Sequence, residues 1–409
     1  MSAIRRLPPD LIRNVRPVHV LLFCHTLEPG GAERVVLSIA QGLDRGKFAP
    51  VACAFKNGPL LATFRQLDIP VFVFDRRARD PRNACDLLRI IRTHRIHILH
   101  SHAFTSSVWG RLIGTLAHVP VLLTTEHTIA SAKTRLQRSV ERLLSPLTDK
   151  TIAVSDAVRQ SHIIEEKIQP TKIVTIYNGI SPWDESNVEK HPARVSLQEE
   201  FRLPPHARIL ATVGRLALPK GHGVLLEAFR LVQQSHPDTY LLVAGEGPLE
   251  GQLRHAAATL GIQKKLIWAG FRPDARRILA AADVCVVPST REGFSLTLLE
   301  AMSVGRPIVA SDVGGNAEAL NGNECGVLVR PGDPTALAQA IASVLNDPPG
   351  GTALGLKAHA RFDNCFTIQR MIRDLEALYD SLLAKRGYTH PPTLADTCTD
   401  TSQADLVSR

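Results

Sequence analysis

The sequence predicts an α/β protein with two domains, each a parallel β-sheet covered by helices. Three observations support this class. Short apolar runs alternate with amphipathic stretches of helical period along most of the 409 residues. A polar, turn-rich segment after residue 180 interrupts this alternation once. The hydrophobic fraction of 44% is large enough for two packed cores.

Each predicted strand is a short, mainly apolar run, as expected of strands that a parallel sheet buries on both faces. Each predicted helix has apolar residues recurring every three or four positions. In the first half these elements are strand 18–23, helix 32–42, strands 49–55 and 71–74, helix 84–94, and strands 96–100, 121–125, 151–154 and 173–177. In the second half they are strand 208–214, helix 223–234, strand 240–245, helix 249–260, strands 266–269 and 283–288, helix 296–304, strand 307–311 and helix 334–345.

The same pattern predicts the domain boundaries. We expect a Rossmann-like domain over 1–180, a linker over 181–190, and a second Rossmann-like domain over 191–365, with a cleft between the two domains. A helix is predicted over 366–386. The Thr-, Asp- and Ser-rich stretch 387–409 is expected to lack fixed structure.

Composition limits the classes of protein and the compartment. The seven cysteines are scattered and form no Cys-x-x-Cys pair, which argues against structural zinc and for a reducing compartment. The basic N-terminal stretch lacks the apolar core of a signal peptide. No apolar run approaches the roughly 20 residues that span a bilayer. We therefore expect a cytoplasmic protein.

Positive charge is concentrated in the first half, where residues 1–180 contain 25 Lys and Arg against 14 Asp and Glu. Aromatic residues are only 5% of the chain and do not interleave with the arginines, which argues against nucleic acid as a partner. The stretch 133–142 has the period of a basic amphipathic helix, which is typical of membrane-surface elements but also of helices packed on their own domain. We rank an anionic membrane surface or a phosphate-bearing acceptor first.

The strongest functional signal is a pair of carboxylates, Glu292 and Glu300, on either side of a Gly-Phe-Ser turn that enters an apolar helix. The turn follows predicted strand 283–288, and open α/β sheets bind ligands beyond the carboxyl ends of their strands. Amides at a helix start attract phosphate, so those of Phe294, Ser295 and Leu296 are candidates for binding it. The carboxylates would then bind sugar hydroxyls. The alternative is a helix with a solvated glutamate at each end.

Two further loops follow predicted strands. Gly30 and Gly31 open the first helix, where paired glycines let a phosphate or sugar approach the backbone. Arg215 and Lys220 follow strand 208–214 and supply two cations suited to a diphosphate leaving group. The glycine-rich segment 245–251 does not have the spacing of a dinucleotide fingerprint, which argues against a nicotinamide oxidoreductase.

Several histidines stand near predicted strand ends. His100 is interpreted as a buried, hydrogen-bonded side chain and His102, at the exit of the strand, as a functional one. His127 ends the next apolar run, and its role stays open. No carboxylate or cysteine completes a metal-binding set with the histidines of 94–102, and Asp-x-Asp does not occur. We expect neither a metal ion nor a cofactor.

Together these residues resemble the family 4 retaining glycosyltransferases of the GT-B fold, over about residues 18–383. The most specific part is the run ADVCVVPSTREGFSLTLLEAMSVGRPIVASDVGGNAEAL followed by CGVLVRPGD, which contains the Glu-x7-Glu pair at Glu292 and Glu300. The supporting matches are VGRLALPKG, LLVAGEGP, AVSDAV, IYNGI, ILHSH and PGGAER.

The resemblance implies metal-independent transfer of a hexose from a nucleotide-diphosphate sugar, with UDP as the first expectation and GDP as the next. Glu300 would bind the ribose and Glu292 the donor sugar. The implied catalytic residues are His102, Arg215, Lys220 and Glu292. The implied donor-binding residues are Gly30, Gly31, Arg215, Lys220, Glu292, Gly293, Phe294, Ser295, Leu296 and Glu300, and the implied contacts to acceptor or donor are His127 and Asn178.

In this family the first domain takes the acceptor. Its basic character then implies a lipid-linked or other saccharide acceptor at the inner face of the cytoplasmic membrane, in surface polysaccharide, lipopolysaccharide or glycolipid assembly. A nucleotide-sugar epimerase of the same fold and a non-catalytic nucleotide-sugar-binding protein are the alternatives. The epimerase would need a set of acids and bases in the first domain, and the binding protein would not need an intact catalytic set.

Overall fold

The computed structural model describes residues 13–14, 17–183 and 193–389. Residues 184–190 of the predicted linker and the predicted tail from residue 390 lie outside the described residues, as do residues 1–12. The described chain forms two compact units. One contains the described residues 13–14, 17–125, 139–151 and 372–389, and the other contains 126–138, 152–183 and 193–371.

The first sheet has seven strands in the order β4-β3-β2-β5-β6-β7-β8. Its strands are β2 Val18–Thr26, β3 Phe48–Lys56, β4 Val71–Val73, β5 Ile98–His102, β6 Val121–Glu126, β7 Lys150–Ala153 and β8 Ile173–Thr175. The helices of this part are α1 Gly31–Gly42, α2 Leu60–Gln66, α3 Arg82–Thr93, α4 Phe104–Leu116, α5 Arg135–Leu144 and α6 Asp156–Glu165. A short parallel pair, β1 Arg13–Asn14 with β15 Tyr388–Thr389, lies apart from this sheet.

The second sheet has six strands in the order β11-β10-β9-β12-β13-β14, and all its strand pairs are parallel. Its strands are β9 Arg208–Val213, β10 Thr239–Ala244, β11 Leu266–Gly270, β12 Val284–Val287, β13 Ile308–Ser311 and β14 Val327–Val329. The remaining helices are α7 Ala193–Glu200, α8 His222–Ser235, α9 Glu250–Thr259, α10 Ala275–Ala281, α11 Leu296–Ser303, α12 Asn316–Ala319, α13 Pro334–Asn346, α14 Pro348–Cys365 and α15 Ile368–Ala384.

Both sheets are doubly wound, which confirms the predicted fold class. In the first sheet β2 lies beside β5, and in the second β9 lies beside β12. At these two places the strand order reverses, so the loops after the paired strands splay to opposite faces and leave room for a ligand. Most of the predicted site residues lie at the ends of these four strands or in the loops that follow them, whereas His127 follows β6 and Asn178 follows β8.

The second sheet is buried on both faces. Val284 and Val286 of β12 pack into the apolar cluster on one face, and Cys285 and Val287 pack into the cluster on the other. This alternation explains the continuous apolar strand sequence. No helix in the described part of the chain is long and apolar enough to cross a bilayer.

The structure differs from the predicted elements in two ways. His97 was placed in strand 96–100, but β5 begins at Ile98. The strand β14 and the helices α2, α4, α6, α7, α10, α12 and α14 were not predicted. The sequence left the packing of the basic amphipathic stretch open, and in α5 the side chains of Leu136 and Leu143 are 74% and 76% exposed.

Candidate active site

The loops that follow β9 and β12 pack directly on each other. The amide of Thr290 donates a hydrogen bond to the carbonyl of Pro219 at 2.8 Å. Gly221 has φ +68°, and a Cβ built on it would lie 1.9 Å from the carbonyl oxygen of Pro288. Only glycine fits this position, because both the backbone conformation and the space exclude a side chain.

A small, partly open pocket lies where these loops meet. Its lining includes the start of α8, the start of α11 and the loop after β12. The lining residues are Thr212, Val213, Lys220, His222, Val287, Pro288, Ser289, Ser295 and Thr297. The pocket therefore lies at the reversal point of the second sheet, where the sequence predicted phosphate binding.

The predicted catalytic residues Lys220 and Glu292 meet at this pocket. The Lys220 ammonium lies 2.6 Å from Glu292 Oε1, and the Ser289 hydroxyl donates to the same oxygen at 2.8 Å. The carboxylate side chain is only 12% exposed. Arg215 is exposed and has no ion-pair partner among the described residues. The site thus has one cation neutralised by a carboxylate and a second cation open to an anion.

The turn from Gly293 to Ser295 is fixed from several sides. The Gly293 carbonyl accepts hydrogen bonds from the Ser155 hydroxyl and from the Gly315 amide, both at 2.9 Å. A Cβ built on Gly293 would lie 2.0 Å from the carbonyl oxygen of His127. These contacts leave the turn no freedom to accept a side chain at position 293.

The side chains of the next two residues are structural. The ring of Phe294 is buried between Tyr177 and Phe366, at centroid distances of 5.2 and 5.3 Å. The Ser295 hydroxyl caps α11 by accepting from the amide of Leu298. These residues can therefore contact a ligand mainly through their amides. The amide of Leu296, in the first turn of α11, has no carbonyl partner within the helix.

Glu300 lies on α11, four residues after Leu296, so both residues face the same side of the helix. Its side chain is partly exposed. The helix thus places the second carboxylate about one turn, or roughly 6 Å along the axis, beyond the amino-terminal end of α11. This spacing is suited to contact with a diphosphate at the helix start and a ribose farther along.

His127 and Asn178 lie in the same unit as these loops. Burial lowers the pKa of His127 to about 4, so its imidazole is neutral at pH 7. Asn178 is 5% exposed and directly follows Tyr177, whose ring packs on Phe294. His127 is thus anchored beside the Gly293–Ser295 turn through its own carbonyl, and Asn178 is anchored there through its neighbour Tyr177.

The predicted residues of the first unit lie at the reversal point of the first sheet. Gly30 immediately precedes α1, and α1 begins at Gly31. His102 is the last residue of β5 and is fully buried, with its ring 4.3 Å from that of His100. His100 is hydrogen-bonded through both nitrogens, to the Tyr379 hydroxyl at 2.7 Å and the Thr125 hydroxyl at 2.6 Å. Its predicted structural role is confirmed.

The sequence analysis assigned no role to four residues around this pocket. Ser155 and Ser289 hold the Gly293 carbonyl and the Glu292 carboxylate, and His222 donates to the Arg215 carbonyl at 3.3 Å. Glu318 accepts hydrogen bonds from the first two amides of α6, at 2.7 and 2.6 Å. A serine before an acidic helix start, as at Ser155-Asp156, was the one available signal. Within the described ranges, no group of three or more His, Cys, Asp or Glu side chains could hold a metal ion.

Solved structures share this architecture. A structure of the Anabaena protein HepE in complex with UDP superposes with a TM-score of 0.79 at 22% identity, covering 89% of this chain and all of the other. A glycosyltransferase from Rickettsia africae superposes with the same TM-score at 23% identity, covering 90% of this chain and 99% of the other. The fold is GT-B, as predicted.

Sequence comparisons agree with the fold. The family model described as "Glycosyltransferase Family 4" matches residues 29–183, and the model "Glycosyl transferases group 1" matches residues 195–362. An Escherichia coli UDP-Gal:α-D-GlcNAc-diphosphoundecaprenol α-1,3-galactosyltransferase is 25% identical over 87% of this chain and 95% of its own length. A D-inositol 3-phosphate glycosyltransferase of Corynebacterium glutamicum is 29% identical over 72% of this chain and 75% of its own.

The family models and the curated relatives identify the protein as a glycosyltransferase that uses a nucleotide sugar. Between them, the two family models cover every strand of the second sheet and every strand of the first except β2. The chain belongs to the family 4 glycosyltransferases.

Proposed function

We propose that the protein transfers a hexose from a UDP-sugar to a lipid-linked saccharide, with retention of anomeric configuration and without a metal ion. The observation that carries the proposal is the meeting of Lys220 and Glu292 beside the start of α11. UDP is preferred to GDP because the Anabaena structure contains UDP and the Escherichia coli relative is named for UDP-Gal.

The charges of the pocket suit departure of a nucleoside diphosphate. As the bond to the sugar breaks, negative charge develops on the leaving phosphate, and preorganised cations and amides stabilise it. Lys220, Arg215 and the first amides of α11 supply this stabilisation in place of a metal. When a phosphate attracts Lys220, the Glu292 carboxylate becomes available to a sugar hydroxyl. Binding of the diphosphate thus places Lys220 on the phosphate and makes Glu292 available to the sugar.

The donor site predicts nucleotide-dependent stability in the presence of EDTA. UDP at about 100 times its dissociation constant should add roughly 2.7 kcal/mol to the free energy of unfolding, measured as a thermal shift against GDP, ADP, CMP and NAD. Glu300→Ala should lose most of the shift because the ribose contact is absent. Glu227→Ala, an exposed glutamate of α8, serves as the control and should keep it. The proposal would be contradicted if only NAD shifted the melting temperature, or if none of the nucleotides shifted it.

Retention follows, in this proposal, from attack on the same face that the leaving group occupies. The acceptor hydroxyl passes its proton to the departing phosphate oxygen while the carbon–oxygen bond to the phosphate breaks and the new glycosidic bond forms. Glu292 is held by Lys220 and Ser289, which suits a hydrogen-bond acceptor for sugar hydroxyls. His102 is proposed to face the donor sugar, and Gly30 and Gly31 to approach its diphosphate.

The acceptor is proposed to lie at an anionic membrane surface. The first unit exposes four leucines on α4, on α5 and on the turn after α5: Leu112, Leu116, Leu143 and Leu147, with exposures of 46%, 62%, 76% and 36%. Arg111 joins α4 to α5 through a buried ion pair with Glu141. Arg142 is exposed beside Leu143. Exposed leucines with a neighbouring cation are typical of surfaces that bind anionic lipid.

This surface predicts lipid-dependent transfer. With GlcNAc-diphosphoundecaprenol in vesicles as acceptor, transfer from UDP-hexose should be faster with phosphatidylglycerol than with phosphatidylcholine alone. Leu116→Ser with Leu143→Ser should weaken vesicle binding roughly 10- to 100-fold, since each leucine loses part of about 2 kcal/mol of burial. Leu356→Ser, an equally exposed leucine of α14, is the matched control. If the double variant and the control bound vesicles equally well, the proposed membrane-binding surface would be wrong. Separately, an inverted anomeric configuration in the product, read from its anomeric proton signal, would contradict retention.

A further inference from the structure

The second unit contains a buried charge network that the donor-site proposal does not use. Lys133 Nζ lies 2.9 Å from Glu126 Oε2 and 3.1 Å from Glu166 Oε1. His162 Nδ1 lies 2.7 Å from Glu166 Oε2, and His162 Nε2 lies 3.0 Å from the carbonyl oxygen of Thr128. All four charged side chains are at most 7% exposed.

The geometry requires a protonated His162. One ring nitrogen faces a carboxylate and the other faces a backbone carbonyl, and both of these groups accept hydrogen bonds. The imidazole can satisfy them together only if both nitrogens carry hydrogen. The network then contains two cations and two carboxylates, which balances its charge in a buried place where an unpaired charge is costly.

The network fixes the segment that packs on the donor-site turn. Glu126 ends β6 and Lys133 follows the segment 127–132, so both ends are tied to α6 through His162 and Glu166. In the middle, Thr128 accepts from His162, and the amide of Ala130 donates to the Ser161 hydroxyl at 2.7 Å. The carbonyl of His127 is the group that lies against Gly293.

We propose that Glu126, Lys133, His162 and Glu166 are positioning residues for the donor site, and that by holding the His127–Thr128 backbone against Gly293 they keep the Glu292–Leu296 turn in its ligand-binding position. The inference rests on the proposed donor site. These residues act through the backbone and do not contact the nucleotide.

The proposal has a pH dependence with a defined sign. Burial lowers the pKa of His162, but Glu126 and Glu166 raise it more than burial and Lys133 lower it, so the net pKa is above 6.5. The groups that face His162 are Glu126 from β6, Thr128 from the segment 127–132, Lys133 just after it, and Glu166 from the end of α6. The positioning is complete below pH 6.5. It is lost as the pH rises through the raised pKa, because the contact with Thr128 needs the second proton.

The test is the affinity for UDP, measured by calorimetry from pH 6 to 9.5. Glu166→Gln keeps a hydrogen-bond acceptor for His162 but removes a charge that raises its pKa, so the alkaline loss of affinity should begin at lower pH. At a pH where the wild type still binds, this variant should bind roughly 10-fold more weakly, a size ordinary for coupled sites. Glu126→Gln should shift the pH profile of UDP affinity in the same direction. It can be used for the test if Glu166→Gln does not fold.

Glu227→Gln is the matched control. It removes the same charge from an exposed position of α8 in the same unit, outside the network, so its profile should follow the wild type. If Glu166→Gln weakens UDP binding equally at every pH, the network is only structural and the inference is wrong. If the wild type binds no nucleotide at any pH, the proposed function itself is wrong.

Discussion

Replacement of Lys220 by alanine is expected to lower kcat by roughly 100- to 1,000-fold, the usual cost of removing one preorganised group that stabilises charge in the transition state. In the resting site Lys220 neutralises Glu292 at 2.6 Å. Without the ammonium, the Glu292 carboxylate stands uncompensated beside the phosphate that must accept negative charge. The variant thus loses attraction and gains repulsion where the leaving group departs.

The measurement is a steady-state assay of transfer with saturating donor. Lys264→Ala is a suitable control, because Lys264 is exposed in the same unit at the amino end of β11, away from the carboxyl ends of the strands. The control should retain wild-type kcat. If Lys220→Ala also retained it, the assignment of leaving-group stabilisation to this loop would be wrong.

The sequence predicted the strands of the first sheet and all strands of the second except β14 to within a few residues, because strands buried on both faces are continuous apolar runs. Strand 283–288 is observed as β12 Val284–Val287, and helix 296–304 as α11 Leu296–Ser303. Here a continuous apolar run, a Gly-Phe-Ser turn and an apolar helix pattern agree. Local propensity and tertiary structure point to the same result, and such segments are the most predictable.

Helix α14 shows the opposite case. It begins Pro-Pro-Gly-Gly, which sequence rules assign to a loop. Asp347 caps it by accepting from the amide of Gly350. A Cβ built on Gly355 would lie 2.4 Å from the carbonyl oxygen of Gly305, so this glycine serves close packing of the helix. Tertiary contacts override the local propensity, and no single-sequence pattern contains them.

The donor-site residues were predictable as separate loops but not as one constellation. Lys220 and Glu292 are 72 residues apart in the chain, and they meet because β9 and β12 are neighbours. Strand order depends on how whole elements pack, which the sequence pattern does not report. The contacts of Ser155 and His127 with Gly293 are of the same kind, since they arise from packing of the 126–138 and 152–180 segments on the donor-site loops.

Gly293→Ala should cause the second largest loss of activity, because the added methyl group would lie 2.0 Å from the carbonyl oxygen of His127. One of the two backbones must then move by about 1 Å or more, and a displacement of that size at a binding site costs roughly 100-fold in activity. Strain of this kind should also lower the free energy of unfolding by about 1 to 3 kcal/mol. Both quantities are measurable on the purified variant, as kcat/KM and as a urea midpoint.

Gly251→Ala separates this effect from the general consequences of replacing a glycine. Gly251 lies in α9, and a Cβ built on it would meet nothing within 4 Å. Alanine should therefore leave activity unchanged and stabilise the helix by about 0.5 to 1 kcal/mol. If Gly293→Ala behaved like this control, the His127–Thr128 backbone would have to move away from the new methyl group without any loss of stability or activity. A turn held so loosely could not keep Glu292 and the amides of α11 in fixed positions for binding a diphosphate. The proposal of a preorganised donor site would then be wrong, and so would the proposal that the buried charge network maintains it.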